Sequence, residues 1–74
     1  MDDAELKAKA AAKLLGVKLE PSAMGGAFEG MIFVELPPGW RFRARGTEQA
    51  SMPRSTHLQN YERVLYWIER LVRE

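Results

Sequence analysis

A proline-proline-glycine corner between two apolar runs constrains this chain more than any other feature. Met31-Ile32-Phe33-Val34-Glu35-Leu36 is rich in strand formers, and Trp40-Arg41-Phe42-Arg43-Ala44-Arg45 alternates strictly between apolar and basic. Between them, Pro37-Pro38-Gly39 puts proline and glycine in the middle of a type II turn. A hairpin closed at this corner sets Leu36 opposite Trp40, Val34 opposite Phe42 and Ile32 opposite Ala44. Opposed residues share a face, so all six lie together on an apolar side. Met31, Phe33 and Glu35 then share the other side with Arg45, Arg43 and Arg41, and Glu35 pairs with Arg41.

The flanking segments read as helices. Asp3 to Leu15 holds four of its alanines at 8, 10, 11 and 12, with Asp2 as N-cap and Glu5 three residues on. Its apolar stripe is Leu6, Ala10 and Leu14, joined by Ala11 and Leu15. Glu5 stands four residues before Lys9, the favourable order, and Gly16 suits a left-handed helix end. Val17 to Glu20 alternates and reads as a short edge strand stopped by Pro21. Residues 21–30, with three glycines, read as a loop. They lead into a strand and lack a Gly-Lys-Ser/Thr sequence, so they are not a phosphate loop. A brief strand over 48–52 is a further option. Thr56 with Gln59 forms a capping box for a second helix, His57 to Arg73. Its stripe is Leu58, Tyr61, Leu65, Ile68 and Val72, flanked by Val64 and Leu71.

The fold expected is therefore a small two-layer α+β domain. It comprises an N-terminal helix, an antiparallel β-hairpin with a third short strand as an option, and a C-terminal amphipathic helix packed on the sheet. Leu65 and Phe42 are expected at the centre of that packing. At 74 residues the chain is one domain, and such a chain removes only about 60–65% of its unfolded surface from water. There is no cysteine, so neither a disulfide nor a thiolate site reinforces it. A thin core of this kind is a tight monomer, a homodimer or a domain that leans on a partner. The acidic Met1-Asp2-Asp3 start is wrong for a secretory signal, and no apolar run reaches a bilayer span. A soluble, cytoplasmic protein is expected.

No constellation of catalytic groups stands out, so no enzyme, cofactor or metal site is expected. His57 is the lone histidine, and Ser51, Ser55 and Thr56 beside it read as loop and cap residues. No motif carries functional residues over from a known family. Two surfaces remain. Net charge is only +1, yet Arg41, Arg43, Arg45 and Arg54 face a single acid, Glu48, between residues 40 and 57. With Phe33 on the same hairpin face, these four arginines are candidates for nucleic-acid binding: guanidinium groups take phosphates and an aromatic ring stacks a base. The bland alternative lays arginine stems over Phe33 and Met31. Tyr66, Trp67 and Arg70 fall off the core stripe of the second helix and are candidates for a protein interface. There the bland reading has Trp67 closing the edge of the core. The function expected is a small protein–protein interaction module that docks on a partner or on itself, with a nucleic-acid-binding accessory protein as the alternative.

Overall fold

The computed structural model describes residues 2–43 and 53–73. Helix α1 (Asp3–Leu15) is followed by strands β1 (Lys18–Pro21), β2 (Ile32–Glu35), β3 (Trp40–Phe42) and β4 (Ser55–Leu58), helix α2 (Tyr61–Ile68) and strand β5 (Leu71–Arg73). A single 3-10 turn, Gly26–Phe28, interrupts the β1–β2 loop. This is the small α+β domain expected, with antiparallel sheets and a C-terminal helix packed against α1 and the sheet.

The strand pairing differs from the tight hairpin. β2 is the central strand of a three-stranded antiparallel sheet, with β1 on one edge and β4 on the other. Leu36 N–H donates to the Arg54 carbonyl at 2.9 Å, carrying the β2–β4 ladder past the strand end. Both edges of β2 are thus occupied, and β3 pairs with β5 in a separate two-stranded sheet. The corner itself forms: Gly39 has φ +89° and Trp40 N–H donates to the Pro37 carbonyl at 3.4 Å. A turn with proline at its second position and positive φ only at its third is of the type II kind. That geometry splays the flanking strands, whereas tight hairpins need the mirror-image turns. The register Leu36–Trp40 and Val34–Phe42 is therefore corrected, and with it the Glu35–Arg41 pair. The Ile32–Ala44 pairing, Arg45 and the 48–52 strand lie outside the described residues.

The face assignment survives this re-pairing. Ile32, Val34, Leu36 and Phe42 are all buried, Val34 and Phe42 completely. Alternation dictates which side of a strand is apolar whatever strand lies alongside. The edge strand expected at 17–20 is present as β1, with Pro21 as its last residue opposite Ile32.

The second helix is shorter than the expected span 57–73. Thr56 and His57 are extended, opposite Val34 and Phe33 in the β2–β4 ladder. Asn60 caps α2 instead, its Oδ1 accepting Arg63 N–H at 2.9 Å. At the other end, Leu71–Arg73 leaves the helix to pair with β3. Helical spacing at 58 coincides with a strand position that also faces the core, whereas Val72 stands opposite Arg41 on the other face of its ribbon from Phe42 and Leu71. Within α2, Val64 is fully buried and Leu65 only half-buried, so the stripe is centred one position earlier than expected.

α1 has the span expected, with a different face inward. Ala8 (0% exposed) and Ala12 (3%) are buried, and Ala11 and Leu15 pack beside them. Leu6 and Leu14 point to solvent. α1 lies against α2, and small side chains permit that close approach. Asp2 makes no side-chain cap bond. Glu5 instead accepts from Lys9 Nζ at 2.6 Å, and this bond holds the Lys9 ammonium above its ordinary pKa. The pair favours the fold at pH values below Lys9's unfolded pKa and loses its contribution as pH rises through the raised one. Gly16, at φ +77°, ends the helix in a Schellman turn in which Val17 N–H reaches the Ala12 carbonyl at 2.9 Å.

Two outcomes follow. Phe42→Ala should cost about 3–5 kcal/mol and Leu65→Ala clearly less, measured by denaturant titration; equal losses would place the core elsewhere. Asn60→Ala should cost roughly 0.5–2 kcal/mol, while Thr56→Val stays near neutral. The reverse order in thermal melts would restore the helix start at residue 57.

Candidate interaction surfaces

The residues of the proposed nucleic-acid platform are divided between two sheets. Phe33 stands mid-strand on the outward face of the β1-β2-β4 sheet, opposite Glu20 on one side and His57 on the other. Its ring lies 5.3 Å from the His57 ring, and Phe28 from the 3-10 turn stacks on His57 at 4.3 Å. Glu35 lies two residues along the same face, accepting from Ser55 Oγ at 3.3 Å. Lys18, opposite Glu35, has its Nζ 3.9 Å from Glu20, so the charged groups beside the ring on this face are two carboxylates and one ammonium, and no arginine among the described strand residues joins them. The joint platform of Phe33 with Arg41 and Arg43 is not assembled.

The arginines lie on the other sheet. Phe42 faces the core opposite Leu71, so Arg41, opposite Val72, takes the outward face. Arg43 N–H donates to the Arg70 carbonyl at 3.1 Å, which continues this ladder and brings Arg70 across from Arg43. Arg54 is apart from them, its Nη2 donating to the Leu36 carbonyl at 3.4 Å beside the β2–β4 ladder. The pairing of β3 with β5 therefore brings the Arg70 backbone beside Arg43, while the Arg70 guanidinium lies over Tyr66. No sequence signal announces this, because residues 41–43 and 70–72 meet only through tertiary structure.

Tyr66, Trp67 and Arg70 form a stack of their own. Trp67 meets the buried Phe42 ring edge-on, at 6.0 Å and 74°, and Tyr66 at 5.3 Å and 83°. The Arg70 guanidinium lies 3.6 Å from the Tyr66 ring centre, and its Nη1 donates to the Tyr66 carbonyl at 2.7 Å. Trp67 is half-buried against the core. These three residues are satisfied by one another and by the core, so they offer a partner less than their sequence positions suggest. On the same side, Arg73 lies 5.0 Å from the Trp40 ring.

The surface that the expected packing concealed is the outward side of α1. Leu14 is 87% exposed and Leu6 53%, with Ala10, also exposed, between them. These residues are each two positions from Ala8 or Ala12, and two positions is about 200° round a helix. α1 thus has two apolar stripes on opposite sides: the alanine stripe faces the core and the leucine stripe faces water. The sequence displays both, and leucine's greater hydrophobicity favours the wrong one as core.

Nothing in the described clefts builds a reaction centre. One, of about 350 Å³, lies between the β1–β2 loop and the start of α2, with Ser22, Gln59 and Asn60 among its polar lining. Another, of about 290 Å³, has His57 and Arg63 as its titratable groups. Among the described residues, no cluster of histidines and carboxylates is placed to hold a metal. Nor is any helix there long and apolar enough to cross a membrane. Compared with known proteins, the chain matches no family model, no curated protein and no solved structure.

Proposed function

We propose that this chain is a non-enzymatic protein–protein interaction module whose docking surface is the outward face of α1. The observation behind this reading is the exposure of Leu6 and Leu14 along a single line of that helix. Scattered exposed leucines are ordinary, but two on one helical line, with an alanine between them, make a continuous strip. Its burial against a partner would remove apolar surface from water at about 25 cal/mol per Å². Tyr66 and Trp67 are assigned to the module's own core edge and not to its partner.

The test compares the wild-type chain with a Leu6→Asp/Leu14→Asp variant, each immobilised, after thermal melts have matched their stability. The wild type should retain a protein partner that the variant loses. If both retain the same proteins, or neither retains any, the reading is wrong.

A second reading is favoured by one observation, the backbone pairing that sets Arg43 beside Arg70 at the end of the ribbon carrying Arg41. The guanidinium groups of Arg41 and Arg43 on one side of a short ribbon, with Arg70 next to them along the chain trace, suit a phosphate backbone. Such binding would be weak, with log K falling against log salt by about 0.7–0.9 per phosphate contacted. Titration of fluorescent single-stranded and duplex nucleic acid should show that slope, and an Arg41→Ala/Arg43→Ala/Arg70→Ala variant should abolish binding. An unchanged affinity in the triple variant would remove this reading.

A further inference from the structure

We propose that the outer edge of β4 takes an extended, acidic peptide segment as an added strand of the β1-β2-β4 sheet. This surface is separate from the α1 strip and stands whether or not that strip is covered.

The hydrogen-bond phase of the ladder fixes which main-chain groups are on offer. Leu36 N–H donates to the Arg54 carbonyl, so residues 36 and 54 form a hydrogen-bonded pair. In an antiparallel ladder such pairs alternate with non-hydrogen-bonded ones. Thr56 and Leu58, opposite Val34 and Ile32, therefore turn their N–H and C=O groups toward β2. Ser55 and His57 turn theirs the other way, and among the described residues these groups have no backbone partner. The stack of Phe28 on the His57 ring does not close this edge. Side chains stand above and below a sheet, while its edge lies in the plane.

The opposite edge is built differently. Ser22 N–H donates to the Met31 carbonyl at 3.0 Å, so Lys18 and Glu20 are the β1 residues whose main chain bonds to β2. Leu19 and Pro21 face outward, and Pro21 has no N–H. Just before them, the Val17 N–H is taken by the Ala12 carbonyl. Proline on an edge is a device against added strands. Ser55-Thr56-His57-Leu58 holds no proline, lysine or acid. Pro53, two residues earlier, sets the start of the added strand at Ser55.

Charge chooses the occupant. The cleft of about 290 Å³ between the end of β4 and α2 has His57, Gln59 and Arg63 in its lining, and no carboxylate among the described residues there. Arg63 projects from the first turn of α2. Its neighbour Glu62, about 100° round the helix, is not part of that lining. Among the described residues, neither Arg63 nor Arg54, at the other end of β4, lies within ion-pair distance of a carboxylate. Glu35, opposite Ser55, already accepts from its hydroxyl. A second copy of the chain fits poorly. Twofold pairing of two β4 edges about Thr56 would bring the Arg63 end of each toward the Arg54 end of the other. A strand bearing carboxylates complements both ends.

The probe is a short blocked peptide in which valine alternates with glutamate. Its controls are the lysine counterpart and the glutamate peptide with every amide N-methylated. Titrated to about 1 mM into the isotope-labelled chain, the glutamate peptide should shift the amide signals of Ser55 and His57 and slow their hydrogen exchange. It should bind about tenfold more tightly than the lysine peptide, and the N-methylated form should not bind. In the free chain both amides should exchange faster than those of Thr56 and Leu58. Ser55→Pro removes an outward donor and no ladder bond, so it should melt near the wild type and weaken the peptide at least about fivefold. Arg63→Ala should weaken the glutamate peptide and leave the lysine peptide unchanged. The proposal is overturned by an absence of shifts at about 1 mM, by equal affinity for the lysine peptide, or by slow exchange of Ser55 and His57 in the free chain, which means an edge already paired. Should Ser55→Pro fail to fold, the N-methylated peptide decides: binding as tight as its parent overturns the added strand.

Discussion

Both hydrogen-bonding edges of β2 are occupied, by β1 and by β4, and most of the remaining architecture follows from that. A strand with two neighbours has no edge left for the segment that follows it. β3 must leave the sheet at the Pro37-Pro38-Gly39 corner and find another partner, and β5 supplies it. That pairing ends α2 at Ile68, because residues 71–73 must be extended to meet β3. It also brings Arg70 to Arg43. Meanwhile Phe33 stays on the first sheet, between Glu20 and His57, while Arg41 stands on the other sheet. The separation of aromatic and basic surfaces is thus a consequence of strand topology.

The core that results is small and depends on a few complete burials. Phe42, Leu36, Val34 and Val64 are the largest fully enclosed side chains, and they come from both sheets, the β2–β3 connection and α2. α1 contributes only alanines at its closest contact. This choice brings the two helices near each other, and it sends the larger leucines outward. A helix with apolar residues on two opposite sides is unusual for the surface of an isolated domain, where one stripe suffices.

Much of this was legible from the residues. The helix Asp3–Leu15, its glycine terminus, the type II corner and the short strand near 18–21 all rest on local rules: capping, propensity and turn stereochemistry. So does the inward orientation of Ile32, Val34, Leu36 and Phe42. What escaped was every decision between two locally acceptable options. The 58-to-72 stripe fitted a long helix as well as a strand, a short helix and another strand. Asn60 is the cap that a closer reading could have preferred over Thr56, and proline at the second turn position argued against a tight hairpin. The leucine and alanine stripes of α1 were equally periodic, and the one local criterion, side-chain hydrophobicity, ranked the outward stripe first.

The sequence by itself determined which residues share a face and where the backbone must turn, because alternation, glycine conformation and proline geometry are properties of a few neighbouring residues. Only the tertiary structure decided which edges pair, which face of α1 lies inward and which arginines stand together. Those outcomes compare contacts between segments distant along the chain, and the balance among them is set by how well whole faces fit.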